Sequence, residues 1–279
     1  MGKAFAFYNN SSHYVQWQSK TFKKFTDCSL TVVDYSRDPY ISKSLREEAD
    51  KFEVEYLHLS QIQEQASSCC DRICPSMTKF FNWAVSNVDD DILMVHGDMF
   101  PIREYKLHDS FGKSDLIVRP QRRGNLNYMW EGFVGVKKGS LNGTKINWSC
   151  GLGGDTGAMT TEWVNLKTFR ERVKALNYSG EIVTGRSNVG RSSNAVYDNT
   201  FLLPEPVRQN YKDEYTSEIL EKSFLHFKRG SGWSGDSFLN EKYEWLQKVL
   251  DGAISGKITF EDLEFDGPGT MPHYETWNL

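Results

Sequence analysis

Residues 91–101 have the sequence Asp91-Ile-Leu-Met-Val-His96-Gly97-Asp98-Met99-Phe100-Pro101. The apolar run predicts a buried strand that ends in an imidazole and a carboxylate. Side chains two positions apart on a strand project to the same side, so His96 and Asp98 could share one divalent cation. A carboxylate suits Mg²⁺, and an added imidazole favours Mn²⁺ or a later metal. The alternative is that Asp98 caps a turn and His96 is a hydrogen-bonded core residue.

Strand and helix patterns alternate on the N-terminal side of this stretch. Strands are predicted at residues 4–8, 30–33, 53–59 and 91–95, and helices at residues 14–25, 41–51 and 77–86. Strands separated by helices of this length indicate βαβ units and an α/β fold with a mainly parallel sheet. Ligands of such sheets bind beyond the carboxyl ends of the strands, which singles out loops 9–12, 34–38 and 96–100.

The pattern is looser on the C-terminal side. Strands are predicted at 115–119 and 132–136, with a polar, arginine-rich loop at 120–127 between them. Helices are predicted at 166–176, 214–225 and 238–250, the first preceded by a glycine-rich stretch at 151–157. No internal repeat and no Pro/Ser linker divides the chain, so we expect a single domain over residues 1–279 with C-terminal helical additions.

Composition limits the classes of protein. The 279 residues are 39% hydrophobic and 25% charged, which is ordinary for a globular protein. The net charge of −4 gives no overall basic footprint for nucleic acid. No apolar run is long enough for a transmembrane helix, and the N-terminus lacks the features of a signal peptide. With five cysteines in no regular spacing, we expect a soluble cytoplasmic protein with reduced thiols.

Several segments together carry a family resemblance. They are Phe81-Asn-Trp-Ala84 followed by residues 91–102, then Tyr128-Met-Trp-Glu-Gly-Phe133, Trp148-Ser-Cys-Gly-Leu-Gly-Gly-Asp-Thr-Gly157, and Phe224-Leu-His-Phe-Lys-Arg-Gly-Ser-Gly-Trp233. In order and spacing they resemble nucleotide-sugar glycosyltransferases of the GT-A fold. The resemblance implies a Rossmann-like, mixed, mainly parallel sheet flanked by helices. Residues 1–100 would bind the nucleotide sugar, residues 101–235 would form the acceptor and catalytic half, and residues 236–279 would form a C-terminal helix and tail.

The resemblance also implies a metal site. Enzymes of this group hold Mn²⁺ or Mg²⁺ with a D-x-D motif, which stands here as His96-Gly97-Asp98. Asp98 matches the direct ligand, His226 a late histidine that returns to the metal, and His96 a third candidate. His96 could instead bind the sugar or ribose, or indicate weakened metal dependence. From the residues alone, His226 could equally be a histidine at the C-terminus of a helix, favoured there by the helix dipole.

Polar groups around this motif are candidates for the donor site. Amide and carboxylate groups after the first two strands could contact the base and ribose, and cations near His226 would lie where the departing diphosphate carries its charge. The same residue types are common in turns and on solvated loops. The candidates are Asn9, Asn10, Asp34, His96, Lys228, Arg229 and Ser231.

A carboxylate is also needed if the transfer inverts the anomeric centre, because a base must accept the proton of the acceptor hydroxyl. Asp155 in the glycine-rich stretch is the first candidate, and Glu131 is its competitor. Asp155 could instead cap the following helical turn.

The resemblance to GT-A glycosyltransferases therefore implies a metal-dependent enzyme that moves one sugar from a nucleotide-sugar donor to a hydroxyl of a glycan or another acceptor. One alternative is a catalytically silent domain of the same fold that binds nucleotide sugars or glycans. Another is a glycosyltransferase that modifies hydroxylated bases in nucleic acid. The net charge makes this alternative less favoured. Its phosphate contacts would be Arg119, Arg122, Arg123, Lys137 and Lys138.

Overall fold

The computed structural model describes residues 1–59, 69–154, 156–176, 178–182, 217–227 and 239–260, and of residues 69–76, 178–182 and 239 it describes the backbone only. The described residues contain the strands β1 Gly2–Tyr8, β2 Cys28–Asp34, β3 Glu55–His58, β4 Ile92–His96, β5 Met99–Pro101, β6 Leu116–Arg123, β7 Leu126–Val136, β8 Val173–Ala175, β9 Tyr178–Ile182, β10 Ser217–Leu220 and β11 Phe224–Phe227. They also contain the helices α1 Tyr14–Phe25, α2 Pro39–Lys51, α3 Cys69–Asn87, α4 Leu107–Phe111, α5 Thr161–Val164, α6 Lys167–Arg170 and α7 Leu239–Ser255.

The main sheet is mixed and mainly parallel. Its strand order is β3-β2-β1-β4-β7-β6-β8. β1 is parallel to both of its neighbours, β2 and β4, and only β7 runs antiparallel to the strands beside it. The α/β class, and the strands and helices predicted over the first hundred residues, are confirmed. α3 begins earlier than predicted.

Both faces of this sheet are covered, because the side chains of β1 alternate between two cores. Ala4, Ala6 and Tyr8 belong to a core shared with α1 and α7, and Phe5 and Phe7 to a second core shared with α3. The buried face of α1 carries Tyr14, Trp17 and Phe22, which pack in the first of these cores. Full coverage explains why β1 and β4 are almost continuously apolar.

The strand order changes direction between β1 and β4, since the chain runs outward from β1 through β2 to β3 and then returns to the other side of β1 at β4. Phe7 of β1 is paired with His96 of β4, so these two strands end at the same level. A crevice forms beyond the carboxyl ends of strands at such a switch point. The stretch 96–98 therefore lies where an α/β sheet binds its ligands.

A second sheet corrects the prediction for the C-terminal half. Residues 217–227 form the hairpin β10–β11, so the predicted helix at 214–225 is wrong over its described part. The sheet has the order β5-β11-β10-β9, and β11 pairs with β5 immediately after the stretch 96–98. The apolar residues of 217–227 satisfy both helical and strand spacing over so short a run, and partners from β5 decide the outcome.

Two further predictions in this half are wrong. β6 and β7 extend through the predicted loop 120–127 and leave only a turn at residues 124–125, because residues 120–123 pair with residues 126–129 across the two strands. The predicted helix 166–176 consists of the short α6 followed by β8, which pairs in parallel with β6. The helix predicted at 238–250 is confirmed as α7. None of the helices described here has both the length and the apolarity that a bilayer crossing requires.

Candidate active site at the carboxyl edge of the sheet

The stretch His96-Gly97-Asp98 forms a tight turn between β4 and β5. β4 ends at His96, so His96 and Asp98 are not neighbours on one continuous strand, and the predicted strand spacing between them is wrong. Gly97 donates its backbone N–H to the carbonyl of Phe7 at 3.0 Å, which ties the turn to the end of β1. Asp98 is thereby presented at the edge of the main sheet.

A buried glutamine of α1 binds the backbone of this turn. The Gln18 side-chain amide donates to the backbone carbonyls of His96 at 3.0 Å and Met99 at 2.8 Å. Its oxygen accepts a hydrogen bond from the hydroxyl of Tyr8 at 2.5 Å. The ring of Tyr8 fills the space under Gly97, where an added Cβ would lie 2.7 Å from a ring carbon. Only glycine fits at position 97 without moving the tyrosine.

Asp98 and His226 come together because two sheets meet at this turn. β11 pairs with β5 so that His226 lies opposite Met99, and Phe227 donates its N–H to the carbonyl of Asp98 at 2.9 Å. Nε2 of His226 lies 3.7 Å from Oδ1 of Asp98. The predicted association of Asp98 with His226 is thus present in the structure, although His226 stands on a strand and not at the end of a helix.

The carboxylate of Asp98 is buried and incompletely satisfied. The residue is 8% exposed, and its Oδ1 accepts no hydrogen bond from any residue that the structure describes. Burial, and next to it the negative charge of Asp98, raises the pKa of the Tyr8 hydroxyl well above its ordinary value. A buried carboxylate oxygen without a donor is costly unless a cation or ligand compensates it.

This arrangement fits a divalent cation. A carboxylate oxygen and an imidazole nitrogen are suitable ligands for Mn²⁺, and Mg²⁺ or Mn²⁺ in phosphate sites is commonly held by one or two protein groups together with substrate phosphates. Among the described residues, no group of three or more His, Cys, Asp and Glu side chains is arranged to hold a metal ion. Asp98 and His226 are the two side chains at this turn whose chemistry fits such a cation.

Behind His226 lies a buried ion pair. Nδ1 of His226 is 2.6 Å from Oε1 of Glu218 on β10, and Oε2 of Glu218 accepts a hydrogen bond from Arg119 at 3.1 Å. Glu218 is fully buried and Arg119 is 3% exposed. Arg119 is therefore part of the interior of the site and not a surface contact for nucleic-acid phosphates.

Trp130 forms the aromatic wall of the site. Its ring centroid lies 4.9 Å from that of His96 and 5.4 Å from that of His226, and the guanidinium of Arg119 stacks over it at 4.6 Å. The ring folds back over Gly132, where a Cβ would come within 2.0 Å of a ring carbon. The tryptophan thus connects both candidate histidines.

Glu131 lies in a bulge of β7, which sets the direction of its carboxylate. The pairing of β6 and β7 shifts between Val118 and Arg119, so that residues 131–133 have no partners in β6. Bulges of this kind commonly re-aim a side chain beside a binding site. Glu131 lies in the bulge, is 6% exposed, and places Oε1 3.4 Å from Nε2 of His96. His96 thus contacts a carboxylate other than Asp98.

The polar residues after β1 and β2 have different surroundings. Asn9 and Asn10 are partly buried in the bend after β1, and Asn10 accepts a hydrogen bond from the Ser11 hydroxyl at 3.0 Å. Asp34 is fully buried. Its Oδ1 accepts from the Ser36 N–H at 2.7 Å and its Oδ2 from the Tyr56 hydroxyl at 2.6 Å. Asp34 therefore stabilises the turn after β2, and its predicted contact with a donor stays a prediction.

Four predicted site residues lie outside the described residues, namely Asp155, Lys228, Arg229 and Ser231. The glycine-rich stretch around Asp155 is described on both sides. Gly157 has a left-handed backbone (φ +91°), and a Cβ there would lie 2.0 Å from the carbonyl oxygen of Met129 in β7. This stretch therefore packs directly against the backbone of the strand that carries Trp130 and Glu131.

The sequence did not indicate Glu218, the pairing role of Arg119 or the role of Gln18. Assigning residues 214–225 to a helix hid the alternation by which Glu218 and His226 face each other across a hairpin. Gln18 stands in a helix whose apolar face is otherwise aromatic, so a buried glutamine there is the one signal that sequence analysis could have used.

Comparison with solved structures gives likenesses of fold. The glycosyltransferase GlyE of Streptococcus pneumoniae TIGR4 matches over 92% of this chain at 10% identity with a TM-score of 0.45, and this chain spans 63% of the length of GlyE. The galactosyltransferase LgtC, solved with donor and acceptor sugar analogues, matches over 93% of this chain and 96% of its own at 11% identity, with a TM-score of 0.45. No protein-family model matches the sequence, and no curated protein is significantly similar to it. Likenesses at this level concern the fold alone.

Proposed function

We propose that the chain is a metal-dependent glycosyltransferase that moves one sugar from a nucleotide-sugar donor to a hydroxyl acceptor. The observation that carries the proposal is the pair Asp98–His226. A buried, undersatisfied carboxylate oxygen and an imidazole nitrogen lie 3.7 Å apart at the switch point of an α/β sheet. The sequence segments that resemble nucleotide-sugar glycosyltransferases support it independently, since they contain both residues.

Asp98 and His226 are the proposed ligands of Mn²⁺ or Mg²⁺, and His96 is a further candidate. When bound, such a cation would act as a Lewis acid on the diphosphate leaving group. Asp98 is held for this task by the turn that Gln18 fixes, so its carboxylate needs little reorganisation to bind a cation. The buried surroundings exclude water from the carboxylate and strengthen its interaction with positive charge.

The donor would extend from this pair along the carboxyl edge of the sheet. Asn9 and Asn10, which follow β1, and Asp34, at the end of β2, would contact its base or ribose. His96, beside Trp130, would contact the sugar or ribose if it does not bind the metal. The cationic and hydroxyl groups proposed for the diphosphate are Lys228, Arg229 and Ser231.

Asp155 and Glu131 are the proposed catalytic carboxylates. If the product has the inverted anomeric configuration, one of them accepts the proton of the acceptor hydroxyl, and its removal should lower the transfer rate by about 10²–10⁴-fold. Asp155→Asn and Glu131→Gln, compared for transfer rate at saturating donor, decide between them. A pair of variants that both keep the wild-type rate would exclude base catalysis by either residue.

A second candidate function is a silent domain that binds nucleotide sugars without turnover. The contact between His96 and Glu131 favours this function. His96 stands at the position of the first carboxylate of the D-x-D motif, and it faces the carboxylate of Glu131 and not that of Asp98. Donor binding without release of nucleoside diphosphate would identify this function.

Thermal denaturation with a panel of nucleoside diphosphates and nucleotide sugars tests donor binding, in Mn²⁺, Mg²⁺ or EDTA. A ligand at 100 times its Kd should stabilise the fold by about 2.7 kcal/mol, which for a chain of this length is a shift in Tm of roughly 5 °C. The shift should require metal and be lost in Asp98→Asn, but remain in Asp109→Asn, which changes an exposed carboxylate in α4. Absence of a shift with every nucleotide, with and without metal, would contradict the proposal.

A further inference from the structure

Glu218 makes a short polar contact with His226, one of the proposed cation ligands, with Oε1 2.6 Å from Nδ1. It lies on the side of the imidazole away from Asp98. Both residues are buried, His226 at 5% exposure and Glu218 at none, so water does not compete for the contact. The pairing of β10 with β11 fixes it, because Glu218 and His226 are direct partners across the hairpin.

The chemistry of the two groups determines which nitrogen carries the proton. A carboxylate can only accept hydrogen bonds, so a contact of 2.6 Å requires a proton on Nδ1. A neutral imidazole then has its lone pair on Nε2, the atom that lies 3.7 Å from Oδ1 of Asp98. The nitrogen that faces Asp98 is thereby the one left free to bind a cation.

Arg119 holds Glu218 in this orientation. Its guanidinium donates to Oε2 of Glu218 at 3.1 Å and is itself stacked on Trp130 at 4.6 Å. An arginine has only donors, so it takes the second carboxylate oxygen and compensates its charge. Arg119 and Glu218 therefore form a fixed chain that ends at Nδ1 of His226.

We propose that Glu218 is a positioning residue that sets the tautomer of His226 and so directs Nε2 towards the cation site. The cation part of this inference rests on the proposed function, whereas the tautomer does not. Partners of this kind raise the basicity of a ligating histidine and fix its ring, and their loss commonly weakens metal affinity by about 10–100-fold.

Glu218→Gln is a specific test because Arg119 fixes the orientation of the amide group that the glutamine would have. The amide oxygen must face the donors of Arg119, which turns the amide NH₂ towards His226. Nδ1 then has to accept a hydrogen bond, and the proton moves to Nε2, the nitrogen that should bind the cation. The substitution keeps the size and most of the polarity of the side chain, but reverses the tautomer.

Two measurements on the whole chain test the inference. Ring ¹⁵N spectra at pH 8 without metal, with His226 assigned from a His226→Gln variant, should show Nδ1 protonated in the wild type and unprotonated in Glu218→Gln. Titration with Mn²⁺ alone should give an affinity about 10–100-fold weaker in Glu218→Gln than in the wild type. Glu221→Gln is the matched control, since this glutamate lies in the same hairpin but contacts Lys174, and it should leave both results unchanged.

The wild-type spectrum keeps the inference falsifiable if Glu218→Gln does not fold. An unprotonated Nδ1 in the wild type would overturn it, as would a folded Glu218→Gln that binds Mn²⁺ as tightly as the wild type. A wild type with Nδ1 protonated that binds no Mn²⁺ would leave the tautomer established and overturn the cation part together with the metal dependence of the proposed function.

Discussion

Nε2 of His226 lies 3.7 Å from Oδ1 of Asp98, although the two residues come from different halves of the chain. The contact exists because β11 adds to β5 directly after the turn that carries Asp98. The first sheet supplies the carboxylate and the second supplies the imidazole. The proposed cation site therefore depends on this junction between the two sheets.

Asp98 and Asp34 are both buried aspartates, but only Asp34 has both oxygens satisfied by the hydrogen bonds that the structure shows. Without metal, Asp98→Asn should leave the free energy of unfolding unchanged or raise it by about 1 kcal/mol, because a costly buried charge is removed. Asp34→Asn should lower it by about 1–3 kcal/mol, because an acceptor is replaced by a donor. Urea denaturation in EDTA measures both, and a loss of equal size in the two variants would contradict this assignment.

Gln18 should stabilise the turn of Asp98 more than any other side chain of α1. Gln18→Leu leaves two backbone carbonyls and the Tyr8 hydroxyl without their partner, so the free energy of unfolding should fall by about 2–4 kcal/mol. Gln16→Leu, on the same helix at a partly buried position, should change it by less than about 1 kcal/mol. If denaturant titrations gave similar free energies of unfolding for the two variants, the hydrogen bonds of Gln18 would not contribute measurably to stability.

The ring of Tyr8 leaves no space for a side chain at position 97. In Gly97→Ala the new methyl group would lie 2.7 Å from the ring, so either the ring or the turn must move, at a cost of about 1–3 kcal/mol. Movement of the turn should also weaken Mn²⁺ binding. Gly124→Asn is the control, since its Cβ meets nothing within 4 Å and asparagine tolerates the left-handed backbone there. A Gly97→Ala variant that is as stable as the wild type and binds Mn²⁺ as tightly would contradict the claim that the Tyr8 ring excludes a side chain here.

His13 should make the fold sensitive to acid. Burial lowers its pKa to about 4, with an opposing contribution from the charge of Glu48, and its ring packs against Tyr14 and Tyr243. Because its pKa in the unfolded chain is about 6.5, the unfolded state takes up the proton first as the pH falls. Its stabilising contribution is thus complete above pH 6.5 and is lost towards pH 4, by about 2 kcal/mol at pH 5.

The difference in unfolding free energy between wild type and His13→Gln isolates this effect from other titrating groups. It should change by about 2 kcal/mol in favour of the variant between pH 8 and pH 5. A difference that stays constant over this range would show that His13 titrates normally in the folded protein.

The N-terminal half of the fold could be predicted from sequence because its signals are local. Apolar runs such as residues 92–95 and the aromatic face of α1 have one period each, and polar turns separate them. The hairpin 217–227 could not be predicted in this way, since its strands are four residues each and their pairing with β5 is a non-local contact. Helix and strand patterns are indistinguishable over so short an apolar run.

The candidate site, like the fold, could be predicted only where its signals are local in the sequence. Asp98 and His226 emerged from a motif and a family resemblance, and the structure brings them together. Glu218 and Arg119 act through contacts across strands, which no spacing in the sequence records. Asp34 was predicted as a ligand contact from its place at the end of a strand alone. Its described hydrogen bonds stabilise the turn after β2, and its contact with a donor stays a prediction.

Release of nucleoside diphosphate from nucleotide sugars tests the central claim most directly. The protein is incubated with a panel of nucleotide sugars in Mn²⁺ without acceptor, beside an EDTA control and the variants Asp98→Asn and Asp109→Asn. The account predicts slow, metal-dependent hydrolysis of one donor class by the wild type and Asp109→Asn, and none by Asp98→Asn. Equal release by Asp98→Asn, or no release from any donor by the folded wild type, would contradict it.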